Sequence, residues 1–222
     1  MDLILKNVSK SFRASDGGEI KVIKDFSLEL KSGSILRLKG ASGSGKTTFM
    51  NIVSGLILPD SGNVLAEGVE ITALNESARD SFRARNIGYI FQTFNLLSPF
   101  SVIENVYAPL AFAGKLPQDH RSKALEILKE VGLSGLEDRM PYRLSVGQRQ
   151  RVSVARVLFA NPSLILADEP TASLDAVSAK TVFDSIEKCN KNGATVILAS
   201  HDRIFDDLKA DFVYDLENGR KS

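Results

Sequence analysis

Eight consecutive residues, Gly40-Ala41-Ser42-Gly43-Ser44-Gly45-Lys46-Thr47, have the side chains and the backbone freedom needed to surround a chain of phosphates. They fit the spacing G-x-x-x-x-G-K-[ST]. Glycines let successive backbone N–H groups turn toward one point, where they bind phosphate oxygens. An apolar run follows at Thr47–Ser54. As a helix it would bring the positive end of its dipole to the same place. Lys46 is then set to reach the β and γ phosphates, and the Thr47 hydroxyl to face Mg²⁺. The pattern predicts binding of a nucleoside triphosphate and leaves open what the nucleotide drives.

A second group of chemically able residues lies far along the chain. The apolar run Leu164–Ala167 delivers Asp168-Glu169-Pro170 at its end. Ligands of an open parallel sheet bind beyond the C-terminal edges of its strands, and Gly40 follows a strand-like run, Ser34–Lys39, in the same way. Asp168 can then hold Mg²⁺, directly or through water, and Glu169 can polarise an attacking water. Ile87–Phe91 ends at Gln92, whose amide could orient that water or bind Mg²⁺. Thr195–Ala199 ends at Ser200-His201-Asp202, which puts His201 where it could sense a γ-phosphate. His120, ahead of a polar helix, reads as a surface residue.

These residues need elements to bring them together. Leu3–Val8 and Val22–Leu30 alternate like strands, and the polar stretch Arg13–Lys21 with Asp16-Gly17-Gly18 between them signals a hairpin. Pro59–Gly62 reads as a turn. Helical spacing marks Ser77–Arg85, Val102–Leu110 and Arg121–Val131, with Gly132 at a C-cap position. Pro99, Pro109, Pro117 and Pro141 punctuate this region and predict short helices. Leu164–Ala167 and Thr195–Ala199 are continuous apolar runs, as expected of strands buried on both faces. Ala176–Asn192 is a helix between them, and Phe212–Leu216 a last strand before an Asn218-Gly219 turn. The layout is an α/β core interrupted by a mostly helical insert.

Composition narrows the function. Among 222 residues, 43% are apolar and 25% charged, which is ordinary for a globular protein. The net charge of +1 gives no global field that would draw nucleic acid or an anionic membrane, and Arg79, Arg83 and Arg85 read as a solvated face. The single cysteine, Cys189, excludes an internal disulfide and reads as an inert helix residue. No stretch reaches the roughly 20 apolar residues of a membrane span, and Leu3–Leu5 is too short for a signal peptide. The chain reads as cytosolic, so another chain must hold it if it works at a membrane.

In this order the residues resemble the nucleotide-binding subunit of ATP-binding-cassette (ABC) transporters. Leu144-Ser145-Val146-Gly147-Gln148, followed by Arg149-Gln150-Arg151, matches the family signature LSGGQ-x-Q-R at every position except Val146, where glycine is usual. Ser145 is a natural N-cap for a helix over Val146–Ala160, and such an N-terminus can bind an anion. The resemblance implies a P-loop NTPase (RecA-like) α/β core with an N-terminal antiparallel β subdomain and an inserted α-helical subdomain. It makes residues 1–222 one domain, with core segments 1–92 and 155–222 and a helical subdomain over 93–154. It implies ATP and Mg²⁺ as cofactors, with hydrolysis to ADP and phosphate.

Roles follow position by position. Phe12 matches the aromatic that stacks on adenine, Gln92 the Q-loop glutamine, Asp168 the Walker B aspartate, Glu169 the catalytic carboxylate and His201 the switch histidine. Ser173-Leu174-Asp175 matches the D-loop. Thr48 joins Gly40–Thr47 among the nucleotide contacts. Ser145, Gly147 and Gln148 are implied to close on the ATP of a second subunit, giving a head-to-tail homodimer when ATP binds.

The insert after Phe12, the run Phe91–Leu97 and Glu104-Asn105-Val106 look like the subgroup of lipoprotein-release and macrolide-export ATPases, with the cell-division ATPase a near relative. The resemblance implies an integral membrane permease as partner and a place on the cytoplasmic face of the inner membrane. Phe94, Leu96, Leu97, Pro99 and Phe100 would meet that partner or pack internally. A soluble ABC ATPase acting on DNA or ribosomes is the alternative. It would need a long coiled coil or a second cassette, and the sequence has neither. A plain P-loop kinase would leave Leu144–Gln148 without a purpose.

Overall fold

The computed structural model describes residues 1–14, 17–172, 174–216 and 220–221. Among the described residues, two sheets and six α-helices make up the fold. The first sheet is antiparallel, in the order β2-β1-β4-β5, from β1 (Leu3–Arg13), β2 (Glu19–Leu30), β4 (Ser61–Ala66) and β5 (Val69–Glu70). Pairing runs from Leu3↔Leu30 to Arg13↔Glu19, so the expected hairpin forms. Asp16 of its turn lies outside the described residues, as do Asn218-Gly219 and Ser173. Pro59–Gly62 is a shorter turn than the composition suggests, because Ser61 and Gly62 already belong to β4, where Ser61 pairs with Ser9.

The second sheet has the order β10-β9-β3-β8-β7-β6. Its members are β3 (Ile35–Lys39), β6 (Ile87–Ile90), β7 (Leu164–Asp168), β8 (Thr195–Ala199), β9 (Phe212–Asp215) and β10 (Arg220–Lys221). All neighbours are parallel except β10 on β9. Every residue of β7 and β8 is buried, which is why both read as unbroken apolar runs. Successive side chains leave a strand on opposite faces, and the core divides accordingly. Ile165, Ala167, Val196 and Leu198 join the cluster under the helices, while Leu164, Leu166, Ile197 and Ala199 join the one shared with the antiparallel sheet.

The helices are α1 (Lys46–Val53), α2 (Glu76–Asn86), α3 (Val102–Phe112), α4 (His120–Glu130), α5 (Val146–Ala160) and α6 (Ala176–Lys191). Ser101 and Glu104 form a capping box at the start of α3, and Ser145 and Gln148 form one at the start of α5. Each such pair satisfies two orphan N–H groups. Pro109 lies inside α3, as helical spacing through Leu110 requires, and the helix runs two residues further to Phe112. The proline's missing N–H costs only the bond to Asn105, while the Ala113 N–H still reaches the Pro109 carbonyl and Val102, Ile103 and Val106 anchor the buried face. Arg79 and Arg83 are not simply solvated. Arg79 donates to the Leu74 carbonyl, and Arg83 donates to the Gly55 carbonyl at 2.9 Å and pairs with Asp80. His120 packs edge-on against Tyr107.

Candidate active site

The register of the parallel sheet decides where the chemistry meets. Leu38 is level with Ala199, Ala199 with Asp168, and Ala167 with Ile90. The next residues along these strands therefore leave the sheet at one edge: Gly40 after β3, Glu169 after β7, His201 after β8 and Gln92 after β6. Around that edge lies a cleft of ≈ 910 Å³ lined by Ser42, Gly43, Gly45, Lys46, Thr47, Thr48, Gln92, Asp168, Glu169 and His201, with Val22 and Ala172.

The loop before α1 depends on glycine where it enters the helix. Gly45 is the N-cap at φ 99°, and a Cβ there would stand 2.5 Å from Val22 Cγ1. No other residue type suits both the left-handed backbone and the close approach. The first turn of α1 contains no acidic residue, so its dipole is left for an external anion. Lys46 is only 8% exposed, and its ammonium donates to the carbonyls of Gly40 (2.6 Å) and Ala41 (2.9 Å). Ser44 does not line this cleft. It faces a neighbouring hollow between Val22 and Tyr214.

Thr47 Oγ1 donates to Asp168 Oδ2 at 2.6 Å, and Asp168 is 6% exposed. Burial, and behind it the Asp168 charge, pushes the phenol of Tyr89 on β6 far above its usual range. These are hard oxygen donors with one carboxylate and the Gln92 amide on the same wall. That set suits Mg²⁺, which takes its remaining ligands from water and phosphate. Among the described residues there is no group of three or more His, Cys, Asp or Glu that could hold a metal ion.

Glu169 adopts φ 45°, a left-handed conformation that a residue with a Cβ enters only when its surroundings hold it there. Its N–H donates to the Ala199 carbonyl (2.8 Å), and its own carbonyl accepts from Ala172 (3.1 Å). The carboxylate accepts from the His201 backbone at 3.4 Å, and His201 Nε2 stands 3.6 Å from its other oxygen.

Gly40, Ala41 and Ser44 of the loop are not among the lining residues, and five other predicted residues stand outside the cleft. Phe12 is on β1, 40% exposed, with Lys10 Nζ 5.6 Å from its ring centre. Ser145, Gly147 and Gln148 open α5, where the Ser145 hydroxyl accepts from the Gln148 N–H. Asp175 caps α6 through Ser178 (N–H 2.9 Å, Oγ 2.8 Å). The starts of α5 and α6 touch, because a Cβ on Gly147 would lie 2.7 Å from Ser178 Oγ. Val22 and Ala172 were missed as cleft residues. Only the strand register brings Val22 over the loop, and the sequence pattern had no signal for it.

A second groove, of ≈ 730 Å³, opens on another face between Leu56, Ile87, Tyr89, Phe91, Pro109 and Arg156. Arg156 Nη1 donates to the Asn95 carbonyl at 3.1 Å, while its Nε and Nη2 have no partner among the described residues. Burial lowers this guanidinium to about 10. Phe94 and Leu96 line a different, smaller recess with Tyr142 and Arg149.

Comparison with known proteins agrees with this geometry. The family model described as "ABC transporter" matches residues 23–172. The ABC transporter ATP-binding protein YtrE of Bacillus subtilis is 41% identical over 202 residues, 89% of this chain and 87% of that one. The lipoprotein-releasing system ATP-binding protein LolD of Colwellia psychrerythraea is 40% identical over 198 residues, 89% of this chain and 76% of that one. The macrolide export ATP-binding/permease protein MacB of Campylobacter jejuni is 40% identical over 200 residues, but the chain spans only 30% of its length. Among solved structures, the ATP-binding cassette MJ0796, as a dimer in a post-hydrolysis state bound to ADP and Pi, superposes with a TM-score of 0.91 at 33% identity, covering 99% of this chain and 97% of that one. With its phosphate loop, its two carboxylates on one sheet edge and its signature helix, the chain belongs to the ABC transporter family, as an ATP-binding cassette.

Proposed function

We propose that the chain hydrolyses ATP in a Mg²⁺-dependent reaction and uses it to close a head-to-tail homodimer that moves a separate integral membrane permease. One observation carries this reading. Lys46, Thr47, Gln92, Asp168, Glu169 and His201 surround a single cleft, while Ser145–Gln148, also built to receive an anion, stand outside it. A second copy is the natural source of the missing wall. The MJ0796 cassette superposed above is described as dimeric.

In this reading the phosphates lie over Gly40–Thr48 and Lys46 turns from its two carbonyls to the β and γ oxygens. Phe12 offers its exposed ring to adenine. Mg²⁺, bound between Thr47, Asp168 and Gln92, would neutralise charge on the phosphate oxygens. Glu169 accepts a hydrogen bond from the attacking water. As the water oxygen bonds to the γ-phosphorus and the bond to the ADP oxygen breaks, Glu169 draws off the proton. His201 steadies the γ-phosphate and Gln92 orients the water. Residues 1–222 act as one domain, with core segments 1–92 and 155–222 and a helical subdomain over 93–154.

The membrane partner is inferred from the similarity to lipoprotein-release and macrolide-export proteins and from the groove at Arg156. That groove is apolar with a buried guanidinium short of acceptors, so it suits an apolar helix that brings a carboxylate. No described helix is long and apolar enough to cross a membrane. The permease would hold the chain at the cytoplasmic face of the inner membrane, and nucleic acid has no part in its work.

The test is Glu169→Gln. Phosphate release should fall by about 10²–10⁴-fold, and Mg²⁺–ATP should shift the variant from monomer to dimer on size exclusion. A variant that stays monomeric and turns over like the wild type overturns the reading.

A further inference from the structure

Gln150 lies just past Ser145–Gln148 on α5, with 1% of its surface exposed. A buried amide calls for partners at both its nitrogen and its oxygen. Its Nε2 donates to the Pro170 carbonyl at 2.7 Å, while its Oε1 has no partner among the described residues. The side chain is thus anchored at one atom, and the anchor is the residue next to Glu169.

Glu169 begins the turn that the Ala172 N–H closes. Its left-handed φ has to be held from outside, and two bonds converge to hold it. One comes from β8, through the Ala199 carbonyl at 2.8 Å. The other is the Gln150–Pro170 bond from α5. The two supports differ in freedom. β8 is buried along its whole length in mid-sheet, whereas α5 begins at an exposed Ser145 and a Val146 that is 39% exposed.

The contact between α5 and the turn is also short of hydrogen bonds. Thr171 Oγ1, on the turn next to Pro170, is buried without a partner among the described residues. Buried unpaired polar atoms cost free energy that another packing of turn on helix would recover.

We infer that Gln150 is a positioning residue for Glu169: its amide joins the signature helix to the catalytic turn, so a second subunit's ATP engaging Ser145–Gln148 also sets the carboxylate in the chain's own site. The inference rests on the proposed function above. It adds a route by which the two sites of one dimer govern each other's hydrolysis.

The experiment compares the full-length wild type with Gln150→Met, which keeps length and burial but loses the donor, and Gln150→Glu, which turns an oxygen toward the Pro170 carbonyl. Steady-state turnover is measured against Mg²⁺–ATP concentration. Each change is then repeated in the Glu169→Gln background, where dimerisation with ATP is read by light scattering. For Gln150→Met, kcat should fall about tenfold, equivalent to about 1.4 kcal/mol, with KM within twofold and the ATP-trapped dimer intact. Gln150→Glu should show the same split with a larger loss of kcat.

Wild-type turnover in Gln150→Met overturns the inference. So does loss of the trapped dimer in parallel with turnover, because the residue would then be serving the fold. A wild-type chain that releases no phosphate overturns the proposed function and this inference together, which separates the two failures.

Discussion

Replacing Gly147 by alanine tests whether the starts of α5 and α6 must interlock. The added Cβ would stand 2.7 Å from Ser178 Oγ, where ordinary contact begins at 3.4 Å, and would meet Asp175 Oδ2 at 3.4 Å. Ser178 is 3% exposed, and its hydroxyl is committed to Asp175 at 2.8 Å. Either the hydroxyl rotates and gives up that bond, or α5 moves off α6. An extra methyl in a packed site typically costs about 1–3 kcal/mol. For a chain of this size each kcal/mol lowers Tm by about 2–4 °C, so a fall of several degrees is expected.

The functional cost should be larger. In the proposed dimer, a displaced helix start would present its N–H groups wrongly to a partner's phosphates, and misplacement of about 1 Å can cost about 10²-fold in rate. Thermal unfolding and phosphate release are measured on Gly147→Ala, on Ser178→Ala and on the double variant. Ser178→Ala leaves only a Cβ at 3.4 Å, so the double variant should regain most of the lost Tm and part of the rate. Unchanged Tm and rate in Gly147→Ala, or no recovery in the double variant, would refute the reasoning.

Three further outcomes are expected. Asn105 is 1% exposed, accepts from the Leu97 N–H at 2.7 Å and donates to the carbonyls of Leu97, Phe100 and Ser101. Asn105→Ala should therefore destabilise by about 2–3 kcal/mol, and a denaturant midpoint equal to wild type would contradict this. Burial pushes the Cys189 thiol up to about 11, so a thiol reagent at pH 8 should label it only after unfolding. The Asp175 carboxyl is held below its usual value by the Ser178 N–H and then the Ser178 hydroxyl. Its contribution is present above the unfolded pKa of about 3.9 and is lost as pH falls through the lower folded value. The Tm gap between wild type and Asp175→Asn should therefore hold near neutrality and close in acid.

Most of the site was legible because phosphate chemistry limits which residues can serve. Gly40–Thr47 needs its glycines, and buried parallel strands must read as apolar runs, so Thr195–Ala199 emerges with the bounds the sequence suggests. The signature helix likewise starts at Val146 under a Ser145 cap. The misses have physical causes too. β4 carries its buried face on Val64 and Ala66 alone, too little alternation to stand out beside Pro59-Asp60. α3 runs two residues past the Leu110 that its spacing marks, because Pro109 near its end removes only a single bond. The place of Val22 over the P-loop and the reach of Gln150 to Pro170 are tertiary facts with no local pattern behind them. The groove around Arg156 draws on residues from Ser54 to Ala160, so no single stretch reveals it.

The separation of Ser145–Gln148 from the cleft in one chain has a consequence for kinetic order. If each site takes a wall from another copy, specific activity should rise with protein concentration in dilute solution and level off as pairing saturates. A membrane subunit that holds two copies side by side would replace that dependence with a fixed local concentration, on the order of millimolar for short tethers. Free subunits would then stay nearly idle in the presence of abundant ATP, and nucleotide would be spent mainly where a permease has gathered a pair.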